Sequence, residues 1–297
     1  LSDRNGGCYM AIGTASHNGP TFKHTQGEFN YNGRRGRNFA AVKWKGWIMH
    51  IDAQGKMTPF AKGFRMHNGM GMSPDGKLYA SDNQGDWRGT SPVYHIQKDH
   101  FYGHPSALVW DETFIKQVSD NPLFYYMENM AQYEKDRTPA AIEMPHGIMC
   151  SSPSEIVFDT KNNFGPYAGQ AFLGDNAGKR LVRLMLEEVE GVMQGACIKF
   201  MENKVNTGNN RLAFSPKGDE LYVGQTVRGW GRHPSEALQR ITFNGVTPDS
   251  ILNMQLKKEG FLITFTKEKS KTELEKISNY AIQSYHYAST YRYGSKP

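Results

Sequence analysis

Residues 68–82 read NGMGMSPDGKLYASD, and residues 210–224 read NRLAFSPKGDELYVG. Each begins as a short alternating apolar run, stops at a Ser-Pro-x-Gly turn and resumes as a second run, LYAS or LYVG. Proline presets one turn dihedral and glycine accepts the next, while alternation places every second side chain on one buried face. The two passages therefore predict two antiparallel hairpins cut from one template.

Outward from these hairpins the same grammar continues. Further strand-like runs are GWIMHID (46–52), SEIVFD (154–159), GQAFLGD (169–175), KRLVRLML (179–186), GACIKF (195–200) and LQRITFNG (238–245). All are short and bounded by Gly, Asn, Asp or Pro, and none is followed by the long helical pattern that a parallel crossover requires. The matched hairpins start 142 positions apart, which suits three or four intervening units of roughly 40 residues. An all-β chain repeating at that interval points to a β-propeller over residues 1–248, more than to a sandwich, because radial repetition leaves only short protected edges. Residues 111–145 break the pattern and are expected to form a loop or short helix laid across one face. After Val246, SILNMQLKKEGFLITFTKE reads as two strands around a turn, so residues 249–297 are expected to be a β-rich C-terminal extension or partial β-sandwich. The start at Leu1 and the tyrosine-rich ending YAIQSYHYASTYRYGSKP suggest a fragment of a longer chain.

Composition narrows the function classes. The chain has 297 residues, 35 of them Lys or Arg against 29 Asp or Glu, with 38% hydrophobic residues and 31 glycines. That suits a globular domain and excludes a collagen, a coiled coil and a charged disordered tail. No run of about 20 apolar residues exists to span a membrane. The net charge of +6 is dispersed and lacks a basic helix or an RNA-binding aromatic signature, so nucleic acid is not an expected partner. Cys8, Cys150 and Cys197 are odd in number and far apart; they read as buried small hydrophobes, with one bridge plus a free thiol as the alternative. No GxGxxG, Walker loop, GxSxG, HExxH or CxxCH is present, which excludes a Rossmann-bound nicotinamide and an attached c-type haem and disfavours a catalytic zinc.

The densest chemical cluster is FRMHNGMGMSPDGKLYASDNQGDWRG, with Arg65 and His67 ahead of the first hairpin and Gly85 and Asp86 in the turn after it. Arginine binds anions bidentately, and Asp oxygens beside backbone carbonyls suit a hard cation such as calcium. The same DNQGDW also reads as an Asx-rich turn that caps its own backbone. His146, in MPHGIMC, is a candidate base or ligand. Lys179, Arg211 and Arg228 add positive charge suited to an anionic ligand, and Trp230 and Trp87 offer flat faces for a planar ring or a pyranose.

These passages, with HFYGHP (100–105), GPYAGQAFLGDNAGKRLVR (165–183) and NNRLAFSPKGDELYVGQTVRGWG (209–231), resemble the soluble glucose/sorbosone dehydrogenase family over about residues 40–250. Their order is more specific than any single motif. The resemblance implies a six-bladed propeller that uses pyrroloquinoline quinone (PQQ) and calcium to oxidise an aldose, in a periplasmic or extracellular setting associated with the cell envelope. It implies that Arg65 faces substrate and cofactor, that Gly85 and Asp86 hold calcium, and that Arg211 pairs with the quinone carboxylates. The sequence departs from the family where an asparagine beside the first arginine is replaced by Met66. The quinone-binding lysine falls near Ala177, with Lys179 displaced from it, and no histidine matches the family base, so His67 and His146 are nominated in its place.

Three function classes follow. The leading one is an oxidoreductase passing electrons from an aldose to an external acceptor such as a cytochrome. The second is a noncatalytic propeller binding a sugar, glycan or protein in an envelope assembly. The third is a polysaccharide lyase or hydrolase, in which Arg or Lys neutralises a uronate while His or Tyr moves the proton.

Overall fold

The structure, a computed structural model, describes residues 1–14, 43–118, 121–226 and 236–294. Strands β1 (Cys8–Ile12), β2 (Trp47–Ile51) and β3 (Met57–Lys62) form the first sheet. The second holds β4 (Gly69–Met72), β5 (Leu78–Ser81), β6 (Ser91–Ile96) and β7 (Ile142–Met144). In the third are β8 (Pro153–Phe158), β9 (Ala171–Asp175), β10 (Leu181–Val189) and β11 (Val192–Phe200). The fourth consists of β12 (Asn209–Phe214), β13 (Glu220–Thr226) and β14 (Glu236–Thr242). A separate hairpin joins β15 (Ile251–Lys257) to β16 (Gly260–Phe265). Within each sheet the strands pair antiparallel in chain order, an all-β arrangement consistent with a propeller. Four such sheets lie among the described residues, fewer than the six blades that the resemblance implies.

The two template passages are β4–β5 and β12–β13, and their turns are closed by the same pair of backbone bonds, with the second loop one residue longer. Ser73 N–H donates to Lys77 O at 2.9 Å and Gly76 N–H to Ser73 O at 3.0 Å; Ser215 and Gly218 repeat the pair at 2.9 Å each, to Glu220 O and Ser215 O. Every other strand-like run of the sequence also falls in a strand, from β2 and β8 to β14.

The core lies between the sheets. Ile48, Phe64, Leu78, Ala80, Tyr94 and Tyr102 fill the space between the first and second sheets. Tyr79, Val93, Met144, Ile156, Leu173 and Val182 join the second to the third. Phe164, Tyr167, Phe172, Leu181, Leu212 and Val223 join the third to the fourth. Each buried side chain of this size stabilises by about 1.5–3 kcal/mol, so sheet-to-sheet packing dominates. Strand β4 packs on β8, and β8 on β12. The approach is close enough that a Cβ on Gly69 would overlap the Ser154 carbonyl, which is why β4 starts with glycine. Ser81 Oγ donates to Ser154 O at 2.8 Å, and Ser154 Oγ to Asn209 O at 2.6 Å, tying the three sheets together at this line.

Between β6 and β7 the chain is helical where a loop or short helix was expected. A 3-10 turn (Pro105–Trp110) leads to α1 (Glu112–Gln117), α2 (Pro122–Glu128) and α3 (Met130–Asp136). Asp111 caps α1 by accepting from Thr113 and Phe114 N–H, and Asn121 caps α2, which has Pro122 in its first turn. Leu108, Leu123, Tyr126 and Tyr133 bury their faces against Phe101 and Trp87. Hairpin β15–β16 is followed by α4 (Lys271–Glu275), closed by a capping box between Ser270 and Glu273.

The hairpin is held by a buried arginine. Arg183 on β10 is fully enclosed; its guanidinium stacks on Tyr167 at 4.0 Å and donates to Gln170 Oε1, Ile251 O and, at 2.9 Å, Leu252 O. The cysteines carry no bridge among the described residues. Cys150 is buried with its thiol pKa pushed up by that burial, while Cys8 and Cys197 are half-buried. No helix of the described residues is long and apolar enough to cross a membrane.

Candidate functional site

In the second, third and fourth sheets the entry loop meets the loop that follows the second strand. Asp82 follows the last residue of β5, and its carboxylate turns back to the entry loop. It accepts N–H bonds from Arg65 at 2.8 Å, Met66 at 2.6 Å and Asn83 at 2.8 Å, and lies 3.6 Å from Arg88 Nε. Asp175 ends β9 and does the same one sheet on, accepting from Ser151 at 3.2 Å and from Ser152 and Ala177 at 3.1 Å, with Arg180 Nε at 3.3 Å. Gln225 holds the corresponding place on β13, its amide donating to Thr207 O at 3.1 Å and Asn209 Oδ1 at 3.0 Å. These three residues fix the loop geometry, and their signal was the shared strand ending in LYASD, AFLGD and LYVGQ.

Arg65, His67, Gly85 and Asp86 come together around Asp82. Arg65 Nε lies 3.8 Å from Asp86 Oδ2, and both side chains are almost fully buried. Gly85 sits under that guanidinium, where a Cβ would overlap it. The backbone of Gly85 closes a tight turn with Arg88, N–H to O at 3.1 Å and O from N–H at 3.0 Å, and the same carbonyl accepts from Gly294 N–H at 2.9 Å. With two donors on its two lone pairs, that carbonyl has no pair for a cation. The Asp86 carboxylate faces Arg65. Among the described residues no three His, Cys, Asp or Glu side chains gather as a metal-binding group. The expected calcium would be held by the backbone carbonyls of Gly85 and Asp86, of which the Gly85 carbonyl is taken by Arg88 and Gly294 in this arrangement.

The histidines divide by environment. His67 is buried, stacks on Phe64 at 4.5 Å and reaches Trp47 O through Nε2 at 3.3 Å; burial drops its pKa to about 4. It is neutral at pH 7 and packed as a core side chain. His104, from the HFYGHP motif, is completely enclosed, with neither ring nitrogen hydrogen-bonded among the described residues. Burial first, then the nearby Arg88 and Arg65 charges, hold its pKa well below the imidazole range. His146 lies in the turn before β8, and partial burial lowers its pKa.

Arg211 is brought to the same face from β12. Its Nη1 donates to Asn68 O at 3.2 Å, while Nε lies 3.3 Å from Glu155 and more than half of the side chain is exposed. Asn68 Nδ2 in turn donates to Asn210 Oδ1 at 2.9 Å, so the two template hairpins touch at their entries. Burial raises the Glu155 pKa, and Arg211 opposes that shift. Lys179 lies half-buried in the loop after Asp175, with no side-chain hydrogen bond or ion pair among the described residues. Arg228 and Trp230 lie outside the described residues. Beside the Trp87 turn is a cavity of about 420 Å³, walled by Trp87, Thr90, Tyr133, Arg137 and Glu143 and by residues 285–289. A wider cleft of about 1230 Å³ runs between the helices and the first sheet, past Trp47, Trp110 and Tyr125.

No family model and no curated protein matches the sequence. Solved structures do. An oxidoreductase described as a glucose dehydrogenase, from Thermus thermophilus, matches with a TM-score of 0.50 and 17% identity over 79% of this chain and 61% of that one. A second glucose dehydrogenase structure matches with a TM-score of 0.50 and 16% identity over 82% and 62%. The chain resembles the glucose dehydrogenases in fold. A PQQ-bound aldose sugar dehydrogenase from Streptomyces coelicolor is also similar, with a TM-score of 0.48 and 14% identity over 78% of this chain and 58% of that one. The chain spans about three-fifths of the length of these structures.

Proposed function

We propose that the loop face is the substrate side of an oxidoreductase that takes a hydride from a sugar, as in the quinone-dependent aldose dehydrogenases. The observation that carries this reading is the meeting of the Arg65 loop with Arg211 through Asn68 on one face of a glucose dehydrogenase-like fold. A bound quinone would supply the hydride acceptor. Arg211 and Lys179 are the accessible cations that would hold its carboxylates. His146, neutral at pH 7 and partly accessible, is the residue suited to take the sugar hydroxyl proton, whereas His67 is enclosed in the core. Arg65, close to Asp86, packs against the turn at Gly85 and would have to be uncovered to meet a substrate. The electron acceptor, the sugar identity and an extracytoplasmic setting belong to the same proposal.

A specific contact supports the noncatalytic alternative. Tyr293 stacks on Arg65 at 5.3 Å, so the arginine expected to face substrate is already covered by the chain. Calorimetric titration with PQQ, with and without added calcium, separates the two. Saturable one-to-one binding, weakened at least about tenfold by Arg211→Ala, supports the oxidoreductase; folded protein that binds no PQQ in either buffer leaves the binding-domain reading.

A further inference from the structure

Residues 285–294 cross the loop face as an extended segment with no sheet of their own. Four contacts pin their end to the Gly85 turn. Gly294 N–H donates to Gly85 O at 2.9 Å, and Tyr293 forms an isolated antiparallel bridge with Asp86. The Tyr293 ring carries the Arg65 guanidinium at 5.3 Å, and the Tyr291 ring lies 6.3 Å from Trp87. Upstream, Tyr285 and Tyr287 form a wall of the 420 Å³ cavity, opposite Thr90 and Glu143. That volume falls within the range of small-molecule sites, about 300–1,000 Å³.

The sequence of the segment repeats a short unit at the two places where it touches the face: Tyr285-His286-Tyr287 at the cavity and Tyr291-Arg292-Tyr293 at Arg65. The anchorage is light. Tyr285 and Tyr293 remain about half exposed at 51% and 47%, although Trp87, beside Tyr291, and Arg65, beneath Tyr293, are only 4% and 6% exposed. A segment that joins no sheet and pairs with the face through an isolated bridge belongs to the low-stability end of a fold, where local opening is readily reached. What it covers is a buried arginine of the loop face.

We propose that residues 285–294 are a cis-docked strap whose release opens the route to Arg65 and to the cavity behind it. The Gly85 turn is then a docking site for a Tyr-x-Tyr-Gly segment: the Gly85 carbonyl takes its amide, Arg65 its ring, and Trp87 the preceding tyrosine. The strap regulates the site of the proposed function, and rests on that reading only for the identity of what passes beneath it.

Arginine modification by phenylglyoxal, read residue by residue by peptide mass, tests this in the full chain without any ligand. Arg65 should react slowly in the wild type, at least tenfold faster in Tyr293→Ala, and slowest in an oxidised Gln84→Cys, Gly294→Cys pair that staples the strap. Reduction of the staple should restore the faster rate. Arg211, more than half exposed, serves as internal reference and should react equally in all forms. Equal Arg65 rates in the three proteins overturn the proposal, as does a rise in Arg65 and Arg211 together, which reports general loosening. Because no quinone is present, failure to bind PQQ would sink the oxidoreductase reading and leave this result standing.

Discussion

Asp82 and Asp175 do the same work in neighbouring sheets: each ends a second strand and folds its carboxylate onto the backbone N–H groups of the loop that enters its own sheet. The loops that carry Arg65 and His146 thereby take their shape from a side chain 17 to 29 residues further on. Removing either carboxylate leaves buried N–H donors without partners, at about 1–3 kcal/mol each. Asp82→Ala should therefore cost at least about 3 kcal/mol, since it also strips the buried Arg88 of its counter-charge, and Asp82→Asn distinctly less. Urea midpoints of the two variants check the order; equal midpoints would deny the carboxylate its organising role.

Two buried neutral histidines make stability depend on pH. His67 has a folded pKa near 4 and His104 one well below 6.5, both lower than an unfolded histidine. The unfolded chain therefore binds more protons across this window, and stability falls as pH drops from about 6.5 towards 4. The slope is about 1.4 kcal/mol per pH unit for each residue. His104→Phe should flatten the dependence of the urea midpoint between pH 6.5 and 4.5, and an unchanged slope would show that His104 is not the titrating group.

Arg183 is the bolt of the β15–β16 hairpin. Arg183→Ala takes a donor from the carbonyls of Ile251 and Leu252 and from the Gln170 amide oxygen, and should detach the hairpin before the sheets unfold. Amide hydrogen exchange should rise at least tenfold across residues 251–265 while β8–β10 stay protected. Uniform acceleration would place the arginine in the general core instead.

Gly69 tests the close approach of β4 to β8. Gly69→Ala drives a methyl group into the Ser154 carbonyl, a backbone atom that cannot rotate away. The expected cost is about 1–3 kcal/mol of overpacking or more. Gly224→Ala in β13 is the control, because a Cβ there would meet Arg211 only at an ordinary contact distance of 3.6 Å, and it should be neutral or slightly stabilising. Thermal melts of the two variants give the comparison; similar melting points would remove the steric reading.

The hairpins were legible because Ser-Pro-x-Gly turns and alternation are local signals, and β4–β5 and β12–β13 realise both. The gathering of Arg65, Gly85 and Asp86 was also readable, since they flank one hairpin. The role of Asp82 and Asp175 left only the shared strand endings LYASD and AFLGD in the sequence, because the backbone donors they bond lie 16 to 24 residues earlier. His104 is hidden as well: HFYGHP stands out only for its resemblance, and nothing in it tells the enclosed His104 from His100, which is exposed. A loop or short helix was expected over residues 111–145, and three short helices form there; their number was obscured because each is short and buries few side chains. The strap lacks periodicity altogether, and its meaning lies in what it touches.

The apolar clusters between sheets also set how this molecule comes apart. Among the described residues the first sheet packs on the second and, through Trp47 and Met49, on Ala107, whereas the fourth shares a cluster with the third. Unfolding should then begin at the fourth sheet and travel inward, in the manner of a stack of coupled repeats. The contact between the Arg65 loop and Arg211 spans sheets two and four, so erosion of the fourth would dissolve the candidate site while the second and third remain intact.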